Sequence, residues 1–332
     1  MRYTVVCSMR NEGPFLLEWV CWYRQIGFTD IVVVTNDCTD HSPDLLDALQ
    51  SAGWVTHLRC DVPAGQRITP RKLKAAKLHP AVAGADWLLV CDVDEFLVIH
   101  SGEGRISDLL PTADPGFLAM AINWKVFGTG GRQNWAEGLV HRQFQRAGLL
   151  ADPISRWVKV LHRQPGWFGA LGEHGPKRLA PAKVGAPGCG MVNCDGVAVP
   201  DWPPAGTGYL RKLPRALASH TAAQMNHYML RSEESFALKR GTLSPVSLSD
   251  RYNDSYYNST NRNEQRDAAA LRQAAVFDAV HAQAMALPGV ALLHQHCCLD
   301  YLAQLCAKAG RPVADDPRHA YHLRAMLEGP AA

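Results

Sequence analysis

The first hundred residues alternate between apolar, strand-like runs and amphipathic, helix-like stretches, and this order strongly limits how the chain can fold. Strands are predicted where short runs of apolar and β-branched residues occur, at 3–8, 30–35, 54–59 and 87–90. Helices are predicted between them, where apolar residues recur at helical spacing, at 15–27, 43–52 and 69–80. A β-α-β-α order favours parallel strands with helices on both faces of the sheet. The sequence therefore predicts an α/β fold with a mostly parallel central sheet.

The pattern becomes less regular after residue 100. One more strand, leading into a glycine-rich turn, is predicted at 116–131, and residues 132–220 are rich in Gly, Pro, Trp and Arg. A helix is predicted at 232–241, because acidic residues in its first turn and basic residues in its last suit the helix dipole. Residues 247–266 are polar and predict a mobile loop, and residues 267–309 predict a helical C-terminal part.

Composition excludes several classes of protein. The 332 residues are 47% hydrophobic with a net charge of +3, which fits a globular protein of one large or two modest domains. No dense Lys or Arg block occurs, so no nucleic-acid partner is expected.

No secretory signal precedes the first strand, and no apolar run approaches the roughly 18 residues of a membrane span. The ten cysteines lack any CxxC pair, which favours reduced thiols in a cytoplasmic protein; peripheral membrane contact is left open.

Polar clusters follow three of the predicted strands. The segment MRNE follows the first strand, TNDCTD the second and DVDE the fourth. In open parallel sheets, ligands bind outside the carboxyl ends of the strands. The fold would bring these clusters, which are far apart in sequence, to one edge of the sheet. This edge is therefore the predicted binding site.

The third cluster interrupts the apolar run WLLVCDVDEFLVI, from Trp87 to Ile99. Burying carboxylates costs free energy unless they are paired or bound to a cation. Asp92 and Asp94 lie one residue apart at a strand end, and their hard oxygens suit Mg²⁺ or Mn²⁺, which could bridge the phosphates of a nucleotide. The alternative is a solvated acidic turn between two strands. Glu95 has no assigned role beyond orienting or capping this turn.

Four features together resemble GT-A-fold glycosyltransferases of the family-2-like bacterial group. They are VVCSMRNEGPFLLEWVCWYRQIGF, IVVVTNDCTDHSPDLLDAL, DWLLVCDVDEFLVI, and the later pair INWKVFGTGG and NHYMLRSEESFALKRG. The resemblance covers residues 3–130, with a second patch near 220–241. The chain departs from the common pattern in lacking QxxRW, because SRW at 155–157 has no Gln. This departure argues against a processive, membrane-embedded synthase and favours a soluble transferase of a divergent subgroup.

The resemblance implies a GT-A fold and a glycosyltransferase that moves a sugar from a UDP- or GDP-sugar to an acceptor hydroxyl. The expected setting is glycan or polysaccharide assembly, and the acceptor is left open as a glycan, a lipid-linked molecule or a small molecule. By this resemblance, residues 1–130 bind the nucleotide sugar. Residues 131–245 form a loop-rich acceptor region that completes the metal site in the same domain, and residues 246–332 contain the mobile loop and the C-terminal helices.

The resemblance also implies roles for individual residues around the nucleotide. Carried over by position, Asn11 and Glu12 lie beside the nucleotide, and Asn36 and Asp37 contact its base or ribose. Asp92 is expected to approach the ribose or the metal ion.

For the metal ion, the resemblance implies Asp94 as a ligand, together with Asp92, and a further histidine downstream. His227 is the first candidate for that histidine, His220 the second and His174 the third. A buried or surface histidine without a ligand role is the alternative for each of them.

Basic residues are candidates for neutralising the donor's diphosphate. Arg71 or Lys74 in the segment RKLK could bind a phosphate oxygen, although a solvated helix face explains this segment equally. Lys239 could reach the diphosphate from the end of its helix, or could serve only to compensate the helix dipole.

An inverting transfer needs a carboxylate that deprotonates the acceptor hydroxyl. Glu173 and then Glu137 are the candidates, because both lie downstream of the acidic motif. Trp124 and Phe127 precede the glycine-rich turn, where an aromatic face could stack on a sugar ring or simply belong to the core.

Two other functions compete with the glycosyltransferase. A sugar-phosphate nucleotidyltransferase would share the α/β fold and a carboxylate-bound metal, but it needs a glycine-rich phosphate loop after the first strand, which MRNEGP does not provide. A catalytically silent carbohydrate-binding protein of GT-A type would not require Asp92 and Asp94, and the presence of both argues against it.

Overall fold

The protein is described by a computed structural model that covers residues 1–110, 116–204 and 209–328. The strands are β1 (Tyr3–Met9), β2 (Asp30–Thr35), β3 (Thr56–Arg59), β4 (Trp87–Val90), β5 (Glu95–Ile99), β6 (Ala119–Val126), β7 (Arg146–Ala147), β8 (Val158–His162), β9 (Phe168–Leu171), β10 (Pro176–Leu179), β11 (Met191–Asn193), β12 (Ala198–Val199), β13 (Ala223–His227) and β14 (Gln265–Arg266). The helices are α1 (Gly13–Gln25), α2 (Ser42–Ser51), α3 (Ile68–Lys77), α4 (Pro80–Ala83), α5 (Ile106–Leu109), α6 (Val140–Gln143), α7 (Glu233–Lys239), α8 (Asp254–Thr260), α9 (Ala274–Met285), α10 (Val290–Lys308) and α11 (Pro317–Glu328).

A large mixed sheet forms the centre of the molecule, with the strand order β12-β11-β6-β8-β4-β1-β2-β3. Strands β3, β2, β1 and β4 are parallel, and β8 lies antiparallel between β4 and β6. Strand β13 pairs parallel with β6 and antiparallel with β5. The predicted α/β fold, with a mostly parallel central sheet flanked by helices, is confirmed.

The two faces of the sheet are covered by different helices because side chains of a strand alternate between its faces. On β1, Val5 and Cys7 belong to the main core, which also contains Phe15 of α1 and residues of α10. Val6 points to the other face, where it packs in a smaller core with Leu73 of α3. The predicted arrangement of helices on both faces is therefore also confirmed.

The helical C-terminal part predicted at 267–309 is confirmed, and the structure divides it into separate helices. It contains α9 and α10, separated at Pro288 and Gly289, because proline cannot continue a helix and Gly289 adopts φ 77°. A further helix, α11, follows and was not predicted. The segment 247–266, predicted as a loop, contains α8, which Asn253 caps through its side chain.

The described residues include no single helix that is both long and apolar enough to cross a membrane. Helices α9 and α10 meet that standard only as a pair, and the pair is bent by 96°.

Strand direction brings several polar segments to one edge of the sheet. The carboxyl ends of β1, β2, β4, β6 and β13 lie at this edge, and the antiparallel strands β5 and β8 begin there. We call this the carboxyl edge. It contains the acidic turn between β4 and β5, the residues that follow β1 and β2, and the end of β13.

A buried histidine in β8 makes stability depend on pH. The side chain of His162 is fully buried, and this burial lowers the pKa of His162 to about 3. The unfolded chain takes up a proton near pH 6.5, so the free energy of unfolding should fall as pH drops below that value, by up to about 1.4 kcal/mol per pH unit from this residue. Urea unfolding of wild type and His162→Leu between about pH 4 and 7 gives the free energy of unfolding at each pH. The slope of this free energy against pH should be smaller in His162→Leu than in wild type.

The matched control for this prediction is His319→Gln, at a partly exposed position on α11. This variant should keep the wild-type dependence on pH. An unchanged slope in His162→Leu would contradict the prediction.

Candidate active site

The acidic turn between β4 and β5 occupies the middle of the carboxyl edge. The Asp92 side chain is 47% exposed, whereas that of Asp94 is 13% exposed. The backbone N–H of Glu95 donates to the carbonyl of Asp92 at 3.0 Å, and the N–H of Tyr228 donates to the carbonyl of Asp94 at 2.9 Å. These bonds fix the turn between two buried strands, as the alternation of apolar and acidic residues predicted.

Glu95, to which the sequence assigned no definite role, holds this turn in place. Its side chain is fully buried, and its Oε2 accepts the backbone N–H of Asp92 at 2.8 Å. Burial raises the pKa of Glu95, while the charge of Lys159 acts in the opposite direction. Glu95 is therefore a positioning residue for Asp92.

Lys159, in β8, is the cation that compensates the buried acid. Its Nζ lies 2.6 Å from Glu95 Oε2 and 3.1 Å from Asp92 Oδ2, and it donates to the carbonyl of Glu173 at 2.6 Å. Burial alone would lower the pKa of Lys159, but the two carboxylates outweigh it and raise that pKa. Sequence reasoning missed this residue, and the available signal was a lysine inside the apolar strand WVKVLH.

Asp94 lies among positive groups on the other side of the turn. Its Oδ1 is 3.4 Å from His227 Nε2, and its Oδ2 is 3.5 Å from Lys239 Nζ. Burial by itself would raise the pKa of Asp94, but the charges of His227 and Lys239 outweigh it and hold the pKa below its usual value. The structure thus brings together three of the residues that the sequence assigned to the metal and the diphosphate.

His227 reaches Asp94 because β13 ends beside the first residue of β5. Its ring packs edge-on against Trp124 of β6, with 4.4 Å between the ring centroids. The Trp124 ring in turn stacks on Trp157, at 5.5 Å. An aromatic wall therefore lies next to the acidic turn.

Arg231 is a second cation that sequence reasoning missed. It is buried, its Nη1 lies 2.9 Å from Glu12 Oε2, and its guanidinium carbon lies 3.4 Å from the centre of the Phe15 ring. Its backbone adopts φ 58°, a conformation that costs free energy in a residue other than glycine and that clusters at functional sites. The charge of Arg231 also contributes to the lowered pKa of Asp94, after those of His227 and Lys239.

Residues after β1 and β2 form the other half of the edge. Asn11 exchanges two hydrogen bonds with Thr39, at 2.8 and 2.9 Å, and Asn36 Nδ2 donates to Asp37 Oδ2 at 2.9 Å. Asn11 and Asp37 adopt φ values of 54° and 44°, so this edge holds two further strained residues. The four predicted nucleotide contacts at 11, 12, 36 and 37 therefore lie on neighbouring loops.

The helix α3 presents a different cation from the two predicted. Arg71 and Lys74 lie on its exposed face, whereas Lys72 is buried and donates from Nζ to the carbonyl of Met9 at 2.8 Å. Burial lowers the pKa of Lys72 to about 8. The phosphate contact assigned to Arg71 or Lys74 stays a prediction, and Lys72 is the residue of this helix that reaches the end of β1.

The two alternative histidines make contacts of their own. His220 Nε2 lies 2.9 Å from the carbonyl oxygen of Trp124, and burial lowers the pKa of His220 to about 4. His174 Nδ1 lies 3.0 Å from the carbonyl oxygen of Val158, and burial lowers its pKa to about 4. Of the three candidates, His227 is the one within ion-pair distance of Asp94.

The structure separates the two candidate bases. Glu173 lies beside the edge, because its carbonyl bonds to Lys159, and its carboxylate is 3.7 Å from Lys177 Nζ. Burial acts to raise the pKa of Glu173, but hydrogen bonding and the Lys177 charge outweigh it and lower that pKa. The contacts described for Glu137 are instead with helices α10 and α11, at His294, Gln295 and His322.

Several buried polar atoms at the carboxyl edge have no hydrogen-bond partner among the described residues. They are Asn36 Oδ1, Trp124 Nε1, and both Nε and Nη2 of Arg231. Glu95 Oε1 and His227 Nδ1 also lack a hydrogen bond to the described residues, but they lie 3.6 Å apart as an ion pair. Buried polar atoms in folded proteins nearly always have a partner, so such a group of atoms indicates a position where a ligand or ion supplies one.

As donors for a cation, Asp94 and His227 fit better than Asp92. Neighbouring ligands of an octahedral ion with bonds of about 2.1 Å lie roughly 3 Å apart, close to the separation of Asp94 Oδ1 and His227 Nε2. The Asp92 carboxylate is turned towards Lys159. Within the part of the chain that is described, Asp92, Asp94 and His227 do not converge as a group of three donor atoms.

Comparisons with known proteins place the chain at a distance from characterised families. No protein-family model matches it, and no curated protein matches it. Among solved structures, S. aureus TarS matches 49% of this chain at 16% identity with a TM-score of 0.30, and this chain spans only 28% of that TarS chain. A shorter TarS chain in complex with UDP-GlcNAc matches at 11% identity, covering 99% of this chain and 92% of that one, with a TM-score of 0.34.

A second solved structure of another kind is also similar to the chain. It is a putative glucose-1-phosphate thymidylyltransferase from Bacillus anthracis in complex with a sucrose, at 12% identity over 86% of this chain and 95% of that one, with a TM-score of 0.28. Since all these likenesses are remote, the function proposed below depends on the geometry of the carboxyl edge itself.

Proposed function

We propose that the protein is a glycosyltransferase that uses a nucleotide-sugar donor. The observation that carries this proposal is the group of unpartnered buried polar atoms around Asp94, at the edge of a parallel sheet where ligands bind. The loops after β1 and β2, the cations beside the acidic turn and the aromatic wall match the three parts of such a donor. These parts are a nucleoside, a diphosphate and a sugar.

The nucleoside would lie against the loops that follow β1 and β2. Among the described residues, Asn36 Oδ1 has no hydrogen-bond partner, and Asn36 Nδ2 donates to Asp37. Asn11 and Glu12 follow the neighbouring strand β1 and offer further donors and acceptors. Amide and carboxylate groups of this kind hydrogen-bond the edges of a base and the hydroxyls of a ribose. The positive φ of Asn11 and Asp37 fixes the direction of both side chains.

The diphosphate would lie beside the cations that face Asp94. Lys239 and Arg231 face Asp94. Within the described part of the chain, two guanidinium nitrogens of Arg231 have no hydrogen-bond partner, and they suit the oxygens of a phosphate group. Lys72 approaches from the end of β1. Three positive charges would thus offset the charge that develops on a departing nucleoside diphosphate.

A divalent cation, Mn²⁺ or Mg²⁺, is part of this proposal. Asp94 and His227 would hold it, while Lys159 keeps Asp92 in position for the ribose or for a bound water. A cation at this place supplies charge stabilisation for the leaving diphosphate.

The sugar would pack against the aromatic wall of Trp124 and Trp157, next to Asp94. Glu173 is the proposed base for the acceptor hydroxyl, since its backbone carbonyl binds Lys159 beside the acidic turn and places the residue next to the carboxyl edge. This assignment would give an inverting transfer. The acceptor would be a glycan, a lipid-linked molecule or a small molecule of polysaccharide assembly.

A nucleotidyltransferase is the less favoured function. Its phosphate loop would need several glycines after β1, but that segment contains only Gly13. This glycine has a packing role, because a Cβ there would approach Cys297 of α10 to 2.5 Å. If the protein releases pyrophosphate from a nucleoside triphosphate and a sugar 1-phosphate, the nucleotidyltransferase is favoured over the glycosyltransferase.

Calorimetric titration with a panel of UDP- and GDP-sugars, with Mn²⁺ or with chelator, tests the proposal. At least one donor should bind with Mn²⁺, and chelator should weaken its binding by about tenfold or more. The free nucleoside is the matched control ligand. It should bind far more weakly than the diphosphate, because it makes no contact with Arg231 and Lys239.

Two outcomes would count against the proposal. If the donor binds equally well with Mn²⁺ and with chelator, donor binding does not require a metal ion. If no donor in the panel binds, the proposed nucleotide-sugar donor is wrong.

A further inference from the structure

A cluster of sulfur, nitrogen and oxygen donors lies apart from the carboxyl edge, where α10, α11 and the loop after β6 meet. Glu137, Cys298 and His322 each offer one ligand atom, and these atoms all lie within 4.8 Å of one another. His294 adjoins them, with its Nε2 3.3 Å from a Glu137 oxygen and 3.7 Å from the sulfur of Cys298.

The fold builds this cluster from three separate segments. His294 and Cys298 are four residues apart on α10, so they lie on the same face of the helix. His322 comes from α11 and Glu137 from the loop. Cys298 and His322 are buried, and the ring of His322 stacks on Trp135 with 5.8 Å between centroids.

One ring nitrogen of each histidine faces the Glu137 carboxylate. This nitrogen is Nε2 in His294, and in His322 it is Nδ1, which lies 3.9 Å from Glu137 Oε2 and 2.8 Å from Gln295 Oε1. A carboxylate that lies in a partly buried pocket beside a thiol and two imidazoles favours a cation.

The kinds of donor decide which cation fits. Zn²⁺ is bound by cysteine sulfur, histidine nitrogen and carboxylate oxygen, most often as four ligands in a tetrahedron. We propose that Glu137, Cys298 and His322 bind a Zn²⁺ ion, with His294 as the fourth ligand. The Cys298 thiol loses its proton to solvent as the sulfur binds.

The ion has a route to this position. A cleft of about 230 Å³ lies beside the cluster and is lined in part by Glu137 and His294. Bound Zn²⁺ would join α10 and α11 to the loop after β6, and would stabilise the folded C-terminal part. This role is independent of sugar transfer and does not rest on the proposed function.

Cobalt is the probe, because Co²⁺ takes zinc sites and its bond to a thiolate gives a charge-transfer absorption band. Titration of the full chain with Co²⁺ should produce this band with one equivalent of ion, and Zn²⁺ should remove it by displacing Co²⁺. Cys298→Ser should lose the band, whereas Cys297→Ser should keep it. Cys297 is the matched control, since it is equally buried and neighbours Cys298 on α10.

Two further variants locate the ion. His322→Gln should weaken Zn²⁺ binding by about tenfold or more, measured by competition with a chromogenic chelator. Asp94→Asn should keep the cobalt–thiolate band, because Asp94 lies at the carboxyl edge, away from Cys298. Circular dichroism of each variant confirms that it is folded.

Either of two results overturns the proposal. If the folded wild type gives no thiolate band, the four side chains form only a hydrogen-bond network. If the band survives in Cys298→Ser, the ion binds another cysteine.

Discussion

Asp94→Asn is expected to lower sugar transfer by about 100-fold or more while the protein remains folded. The amide keeps the shape of the side chain but removes the charge that His227, Lys239 and Arg231 surround. A cation held by Asp94 and His227 would lose its anionic ligand, and the donor's diphosphate would lose its place. The measurement is release of nucleoside diphosphate from the donor that binds best in the calorimetric panel.

The matched control is Asp86→Asn. Asp86 precedes β4 and accepts the backbone N–H of Arg2, so it lies at the opposite end of the strand that leads to Asp94. This variant should transfer sugar like wild type. Full turnover in a folded Asp94→Asn protein would exclude Asp94 from the mechanism.

The carboxyl edge could be predicted in part because much of it follows from local sequence. Short apolar runs that each end in polar residues define the parallel strands, and parallel strands place their carboxyl ends together. The sequence alone therefore predicts Asn11, Asn36 and Asp94 at one edge of the sheet. His227 came from the resemblance, and its contact with Asp94 depends on the pairing of β13 with β5.

Lys159 and Arg231 could not be placed because their contacts are not local. Lys159 reaches Asp92 because β8 inserts antiparallel between β4 and β6, and an isolated apolar run does not reveal its neighbours. Arg231 meets Glu12 across 219 positions of sequence. Long-range strand order therefore decides which cations face the acids.

The helix α3 shows a second limit of what local sequence reveals. The segment RKLK contains three cations, and the pattern does not say which of them points inward. Leu73 and Ala76 are buried, and this rotation of the helix takes Lys72 inward while Lys74 stays in solvent. A one-residue difference in helix rotation changes which lysine reaches the sheet.

Lys159→Met should be the most destabilising single change in the site. It leaves Glu95 fully buried without its closest cation, and breaking a buried pair in this way costs about 3–5 kcal/mol. Urea unfolding measures the loss. Lys74→Met, at an exposed position on α3, is the control and should change the free energy of unfolding by less than about 0.5 kcal/mol.

A second substitution separates the loss of charge pairing from the loss of packing. In Lys159→Met with Glu95→Gln, no unpaired carboxylate is buried at position 95, and the Gln oxygen can still accept the N–H of Asp92. The double variant should therefore be more stable than Lys159→Met alone, with a coupling of about 2–3 kcal/mol between the two positions. Additive effects would mean that Lys159 stabilises the turn by packing, and that its charge does not compensate Glu95.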